Sequence, residues 1–303
     1  MIDRACISLT SKCQLRCTYC HFDKHIEKNS CTDISSENLQ IILTNIINYS
    51  EQNNISFKIG LVGAGEPLLR FDLIQEAILF TKQNDKNSRL SFYTISNGIA
   101  LNEEKIKWFY ENKDKIELCI SLDGSKNIQD LCRVFVNKKG SFDKVMETIN
   151  LYKKYFKESP SINSTVHKQT LNNAKSELNF FEENFSEVCF SRLVDEESFE
   201  LKITKSEFVE FMEKATKTKL SLRQLRKPLK YDCTMYGQLC GVGRTNIFYA
   251  DGKVYPCGRF IGNKKYELGT DSDELTVIEN CMKHLKPVED GKCYFDENVR
   301  SCW

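Results

Sequence analysis

Ser11-Lys12-Cys13-Gln14-Leu15-Arg16-Cys17-Thr18-Tyr19-Cys20-His21-Phe22 follows the first strand-like run, Arg4 to Thr10, and sets three cysteines at C-x3-C-x2-C spacing on one loop. Three thiols from one short segment form a donor set for zinc or for an iron–sulfur cluster. Structural zinc closes with four ligands, so the zinc reading needs Cys31 or His21 as the fourth. A cluster held by three thiolates instead keeps one iron open to a further molecule. The chain holds 14 Cys in 303 residues, and because disulfides rarely persist in a reducing compartment, ligation is the leading explanation. Cys6, Cys119 and Cys189 lie in apolar or strand-like segments and read as small buried hydrophobes.

Outward from the loop, the apolar period switches repeatedly between two and 3.6. Helices are expected over Leu39 to Tyr49, entered through Ser35-Ser36-Glu37, and over Phe71 to Phe80, Glu104 to Tyr110, Phe142 to Tyr155 and Ser176 to Phe185. Strands are expected over Phe57 to Val62, Arg89 to Ile95, Ile116 to Leu122, Ser161 to Val166 and Val188 to Leu193. Six serial β/α units require right-handed crossovers and a mainly parallel sheet, with ligands beyond the carboxyl ends of the strands. Near residue 200 the alternation stops, which divides the chain into 1–200 and 201–303.

The strand ends carry the next signals. Gly63-Ala64-Gly65-Glu66-Pro67 follows the second strand, Ser96-Asn97-Gly98 the third and Ser121-Leu122-Asp123-Gly124 the fourth, with Arg133 ten residues beyond Asp123. Glycines admit close backbone approach, Glu66 suits an ammonium, short polar side chains suit a diol, and Arg suits a carboxylate better than Lys. Together with C-x3-C-x2-C, this series resembles the radical S-adenosylmethionine (radical SAM) superfamily over about the first 200 residues. The resemblance implies a partial (β/α)6 barrel in which Cys13, Cys17 and Cys20 hold a [4Fe-4S] cluster. It further implies that Gly65 and Glu66 meet the methionyl amino group of S-adenosylmethionine, Ser96 and Asn97 form a polar turn near it, Ser121 and Asp123 meet its ribose, and Arg133 meets its carboxylate. Tyr19 and Phe22 would pack beside the adenine and the cluster, and Ser141 would cap the helix beginning at Phe142.

The last hundred residues hold Cys233, Cys240, Cys257, Cys281, Cys293 and Cys302. Two alternating runs around Asp251-Gly252 signal a β-hairpin that brings Cys240 and Cys257 together. The spacing C-x11-G-x4-C over Cys240, Gly252 and Cys257 resembles the start of the SPASM/twitch extension of radical SAM peptide maturases, which ligates auxiliary iron–sulfur clusters. The later C-x2-C-x5-C-x3-C run of that extension is missing. One auxiliary cluster is therefore expected, on Cys233, Cys240 and Cys257 with Cys293 or Cys302, while Cys281 falls in a helical pattern, Leu275 to Leu285, as a bystander. Members of the family that oxidise Cys or Ser in sulfatases carry an acidic residue directly after the cysteine matching Cys257, and Gly258 stands there instead.

Charge and hydropathy bound the function. Lys plus Arg number 43 against 42 for Asp plus Glu, a net charge of +1 that offers no field for nucleic acid. No apolar run approaches the roughly 18 residues of a membrane span, and no signal peptide opens the chain, so a cytoplasmic protein without a membrane partner is expected. From Lys214 to Tyr231 seven basic residues occur without an acid, either a solvated face or a dock for an acidic leader peptide. The expected function is radical modification of a ribosomally made precursor peptide, by a thioether, carbon–carbon or ether crosslink or by epimerisation, with flavodoxin or ferredoxin as reductant. A small-molecule dehydrogenase and a zinc-bound structural module are the alternatives.

Overall fold

The computed structural model describes residues 1–20, 22, 33–193, 200–225 and 230–298. His21, Cys31, Arg226 and Cys302 lie outside the described residues. The first half is built from β1 (Arg4–Ile7), α1 (Ser36–Asn53), β2 (Phe57–Leu61), α2 (Phe71–Asn84), β3 (Leu90–Ser96), α3 (Glu103–Glu111), β4 (Ile116–Ser121) and α4 (Lys126–Cys132). It continues through α5 (Phe142–Phe156), β5 (Ser161–Val166), α6 (Lys168–Asn172), α7 (Ala174–Asn184) and β6 (Glu187–Arg192). Next come α8 (Lys205–Ala215), β7 (Ser221–Leu222), β8 (Tyr231–Asp232), β9 (Leu239–Cys240), β10 (Asn246–Ala250), β11 (Lys253–Tyr255), β12 (Gly269–Thr270), α9 (Leu275–Met282) and α10 (Tyr294–Asn298).

Strands β1 to β7 are parallel and adjacent in chain order. The sheet is open, as a partial barrel requires: its order runs β12-β11-β10-β1-β2-β3-β4-β5-β6-β7, and no pairing among the described residues joins the two ends. The helices bury apolar stripes against it. Leu39, Ile42, Leu43, Ile46 and Ile47 of α1 are buried, and Ser35 caps that helix by accepting from the Asn38 N–H at 3.0 Å. A chain of edge-on aromatic contacts, Phe181 to Phe190 and Phe190 to Phe211, ties α7 and α8 to β6.

Three expectations are corrected. The β/α alternation runs one unit further than the sequence pattern showed, because α8 returns to β7, which pairs parallel to β6 over only two residues, Ser221 and Leu222, too short to carry a readable period. Ser141 stands at the helix start but does not cap it: its hydroxyl accepts from Gln129 Nε2 at 3.0 Å, and the Asp130 carboxylate takes the Phe142 N–H at 2.8 Å. Arg223, in the basic run read as a solvated face or a dock, is instead turned onto the sheet, where it donates to Glu117 at 3.3 Å, Cys119 Sγ at 2.7 Å and Ser161 at 3.2 Å.

The Asp251-Gly252 hairpin forms as its residues demand, both with positive φ, 52° and 71°. Its strand β10 then pairs parallel to β1, from Arg4 opposite Asn246 to Ile7 opposite Tyr249. The hairpin that Cys257 follows is thereby joined directly to the strand from which the first cysteine loop departs.

Candidate active site

The loop after β1 is held on three sides. Arg16 N–H donates to Val134 O at 2.7 Å and Thr18 N–H to Cys132 O at 3.0 Å, hanging the loop on the segment after α4. Asp33 accepts from Thr10 Oγ1 at 2.6 Å and Lys12 Nζ at 3.0 Å. From β2, the Gly65 N–H donates to Thr10 O at 3.0 Å and the Glu66 N–H to Lys12 O at 2.8 Å. A Cβ at residue 65 would lie 2.2 Å from Lys12 O. Glycine is needed there for close approach of two backbones, and this is the physical content of the Gly63 to Pro67 motif.

Cys13, Cys17 and Cys20 line a cavity of about 360 Å³ at the carboxyl ends of the parallel strands, together with Tyr19, Phe22, Gly65, Glu66, Asn97, Ser121 and Arg133. Burial pushes the Cys13 thiol up and the Cys17 thiol up to about 12, the latter opposed by Arg133. Among the described residues no three His, Cys, Asp or Glu side chains are grouped for a single metal ion. Three thiols lining one cavity, on a loop packed against a glycine turn, fit a multi-iron cluster with one open position.

Two of the expected contact residues serve other side chains. Ser96 is buried behind Glu66 and donates to its Oε1 at 2.7 Å; Leu68 N–H donates to the same oxygen at 3.1 Å, and Asn97 N–H to Oε2 at 2.8 Å. Burial raises the Glu66 carboxyl above the usual range, and these donors oppose the rise. Asp123 is 0% exposed and does not line the cavity. Its carboxylate accepts from the Tyr19 hydroxyl and from Thr165 N–H at 3.0 Å, and pairs with Arg133 Nε at 3.1 Å. The Arg133 guanidinium in turn lies 5.6 Å from the Tyr19 ring centroid. Asp123 thus orients the two groups that do face the cavity. Asn97 reaches the loop directly, donating to Cys13 Sγ at 3.6 Å and Gln14 Oε1 at 3.3 Å.

Behind the loop, His167 Nε2 and Cys132 Sγ stand 3.8 Å apart, both fully buried. Cys132 is not among the residues lining the cavity. Burial lowers the His167 pKa from 6.5, with Asp123 opposing and Arg133 reinforcing. Below about 6.5 the unfolded chain takes up a proton that the buried imidazole resists, so stability falls from there down through the lowered pKa of the folded state. Urea midpoints should therefore drop between pH 7 and pH 5 more steeply in the wild-type chain than in His167→Gln; equal slopes would show that other groups govern the acid limb.

The far wall is built by residues the sequence reading did not select: Thr165, Ser191, Arg192, Met235, Tyr236, Phe248 and Arg259. The first three occupy the ends of β5 and β6, where strand order alone points; the others come from the C-terminal third. Beside this wall Cys257 and Cys293 lie within electrostatic reach of each other and of both Cys233 and Cys240. Burial raises Cys257 to about 12. Cys281 sits apart on α9, packed against the main core. A Cβ at Gly258 would stand 2.9 Å from the Phe248 ring, so an acidic side chain there requires the ring to move.

No helix among the described residues is long and apolar enough to cross a membrane. Over 178 residues the chain is 36% identical to the cysteine-type anaerobic sulfatase-maturating enzyme of Clostridium novyi (strain NT), covering 57% of this chain and 46% of that protein. The cysteine-type anaerobic sulfatase-maturating enzyme of Clostridium perfringens (strain 13 / Type A) is 25% identical over 296 residues, 89% of this chain and 77% of that protein. The chain thus aligns with about half the length of the first relative and about three quarters of the second. Among solved structures, native anSMEcpe with bound AdoMet and Cp18Cys peptide shares the fold with a TM-score of 0.74 at 21% identity, covering 91% of this chain and 79% of that one. Residues 7–180 match the Radical SAM superfamily, and with the cysteine loop, the Gly63 to Pro67 turn and Arg133 all at the carboxyl ends of one parallel sheet, the chain belongs to that superfamily.

Proposed function

We propose that the protein is a radical SAM oxidoreductase that modifies a peptide. The observation that carries this reading is the single cavity walled on one side by Cys13, Cys17, Cys20 and Arg133 and on the other by Tyr236, Phe248 and Arg259 beside a second group of thiols. When bound, a [4Fe-4S] cluster and S-adenosylmethionine supply a 5′-deoxyadenosyl radical that removes a hydrogen atom from the substrate. Cys13, Cys17 and Cys20 would hold that cluster. Arg133, oriented by Asp123, would pair with the methionyl carboxylate; Glu66, fixed by Ser96 and Asn97, would take the amino group, and Ser121 would meet the ribose. Leu193 and Met235, also on the cavity wall, contribute apolar surface that excludes water from the reacting centre.

Cys233, Cys240, Cys257 and Cys293 are proposed as ligands of one auxiliary cluster. Flavodoxin or ferredoxin is the proposed reductant. A precursor peptide receiving a crosslink or epimerised residue is the preferred substrate class. Oxidation of a sulfatase Cys or Ser is the second reading, favoured by the named relatives; against it stands Gly258, where the acid those members carry would require the Phe248 ring to move. Anaerobic turnover with candidate precursor peptides and with a sulfatase-derived Cys peptide separates them. Peptide-dependent 5′-deoxyadenosine with loss of two hydrogens, or with inverted configuration at unchanged mass, supports the preferred reading. An aldehyde on the sulfatase peptide supports the second, and 5′-deoxyadenosine that responds only to small molecules overturns both.

A further inference from the structure

One side chain joins the C-terminal thiols to the active cavity. Arg259, two residues after Cys257, donates its backbone N–H to Cys257 Sγ at 3.4 Å, and its Nη1 donates to Cys293 Sγ at 3.7 Å and to Asp296 Oδ1 at 3.0 Å. Its guanidinium lies 4.2 Å from the Phe295 ring centroid, and the side chain is only 13% exposed while lining the cavity wall. A surface arginine would swing freely; this one is clamped by a carboxylate, a ring and one sulfur, and its backbone N–H meets a second sulfur.

We propose that Arg259 and Asp296 together set the reduction potential of the auxiliary cluster, Arg259 raising it and Asp296 holding it down. The inference rests on reading Cys257 and Cys293 as ligands of that cluster. Reduction adds one electron to a centre already made negative by its thiolates. A guanidinium hydrogen-bonded to a ligand sulfur stabilises the reduced form more than the oxidised one, and in a buried setting of low dielectric this difference is large. Asp296 opposes the same field from 3.0 Å beyond. Lysine would keep the charge but lacks the planar guanidinium that lies over the Phe295 ring and fixes the nitrogen facing the sulfur and the carboxylate. The two residues act through the ligand sulfurs and are positioning residues in this role.

The test uses the full chain with both clusters reconstituted anaerobically, titrated with dithionite and followed by electron paramagnetic resonance. The auxiliary signal is the one that S-adenosylmethionine does not alter. At a fixed potential, Arg259→Gln is expected to lower the reduced fraction of that signal about tenfold, equivalent to ~59 mV for a one-electron couple. Asp296→Asn is expected to raise it by a comparable factor, and Arg259→Lys to recover part of the loss. Opposite shifts at unchanged iron content establish the proposal. Unchanged potentials, shifts of the same sign in both variants, or loss of iron from both would make Arg259 a structural support and overturn it. A wild-type chain with four irons and no second signal overturns the auxiliary-cluster reading itself, an outcome visible before any variant is made.

Discussion

Wild-type protein reconstituted without oxygen is expected to bind about eight irons per chain, and Cys13→Ala, Cys17→Ala and Cys20→Ala combined are expected to leave about four and abolish 5′-deoxyadenosine formation. The expectation follows from where the two thiol groups lie: the first hangs from β1 against Gly65 and Asn97, and the second lies after β8, on β9, after β11 and just before α10. In the proposed ligand sets neither group lends a sulfur to the other, so removing the first three thiols is expected to spare the second centre. Cys281→Ala should leave the iron count unchanged, because that thiol packs against the main core. Iron and acid-labile sulfide analysis reads the result. Four irons in the wild type and none in the triple variant would assign the C-terminal thiols to zinc or to packing, and zinc without iron would remove radical chemistry altogether.

The second large effect concerns stability. Asp123→Ala removes the partner of Arg133, whose side chain is 13% exposed, and leaves a guanidinium with little water to replace the carboxylate. Breaking one side of a buried ion pair costs about 3–5 kcal/mol, and here the same change also strips the Tyr19 hydroxyl and the Thr165 N–H of their acceptor. Urea unfolding of the cluster-free chain should shift by that amount, with Asp123→Asn intermediate because the amide oxygen still accepts. S-adenosylmethionine affinity, measured by equilibrium dialysis on the reconstituted variants, should fall in both. A loss under 1 kcal/mol for Asp123→Ala would mean that Arg133 turns to another acceptor, and the orienting role of Asp123 would be withdrawn.

Much of the first half is legible in the sequence because each strand is buried on a local period and each helix has its own apolar stripe. Ser161 to Val166 is read to the residue, and the other five strands and the five helices to within a few positions. The short elements escape: α4 and α6 have seven and five residues, too few for a 3.6-residue period to declare itself. Site residues that belong to a motif are found, and their division of labour is not. Nothing in the spacing of Ser121-Leu122-Asp123 says that Asp123 turns away from the cavity to take Tyr19 and Arg133; that depends on β5 delivering the Thr165 N–H at the same level. The far wall escapes for another reason. Tyr236, Phe248 and Arg259 reach the cavity only because β10 pairs with β1, a parallel contact between segments about 240 residues apart that leaves no mark on local composition.

That contact also orders the events of synthesis. As the chain leaves the ribosome, β1 acquires β2 early as one neighbour, but its other edge stays open until Asn246–Ala250 has emerged. An exposed strand edge pairs readily with other chains, and contacts of long sequence separation close late. The nascent protein therefore spends most of its translation with its first strand half-covered and the Cys13 loop adjoining an unfinished border. Truncation before residue 246 should yield aggregates rather than a smaller soluble core, and iron–sulfur assembly on the first loop becomes an event of the completed chain.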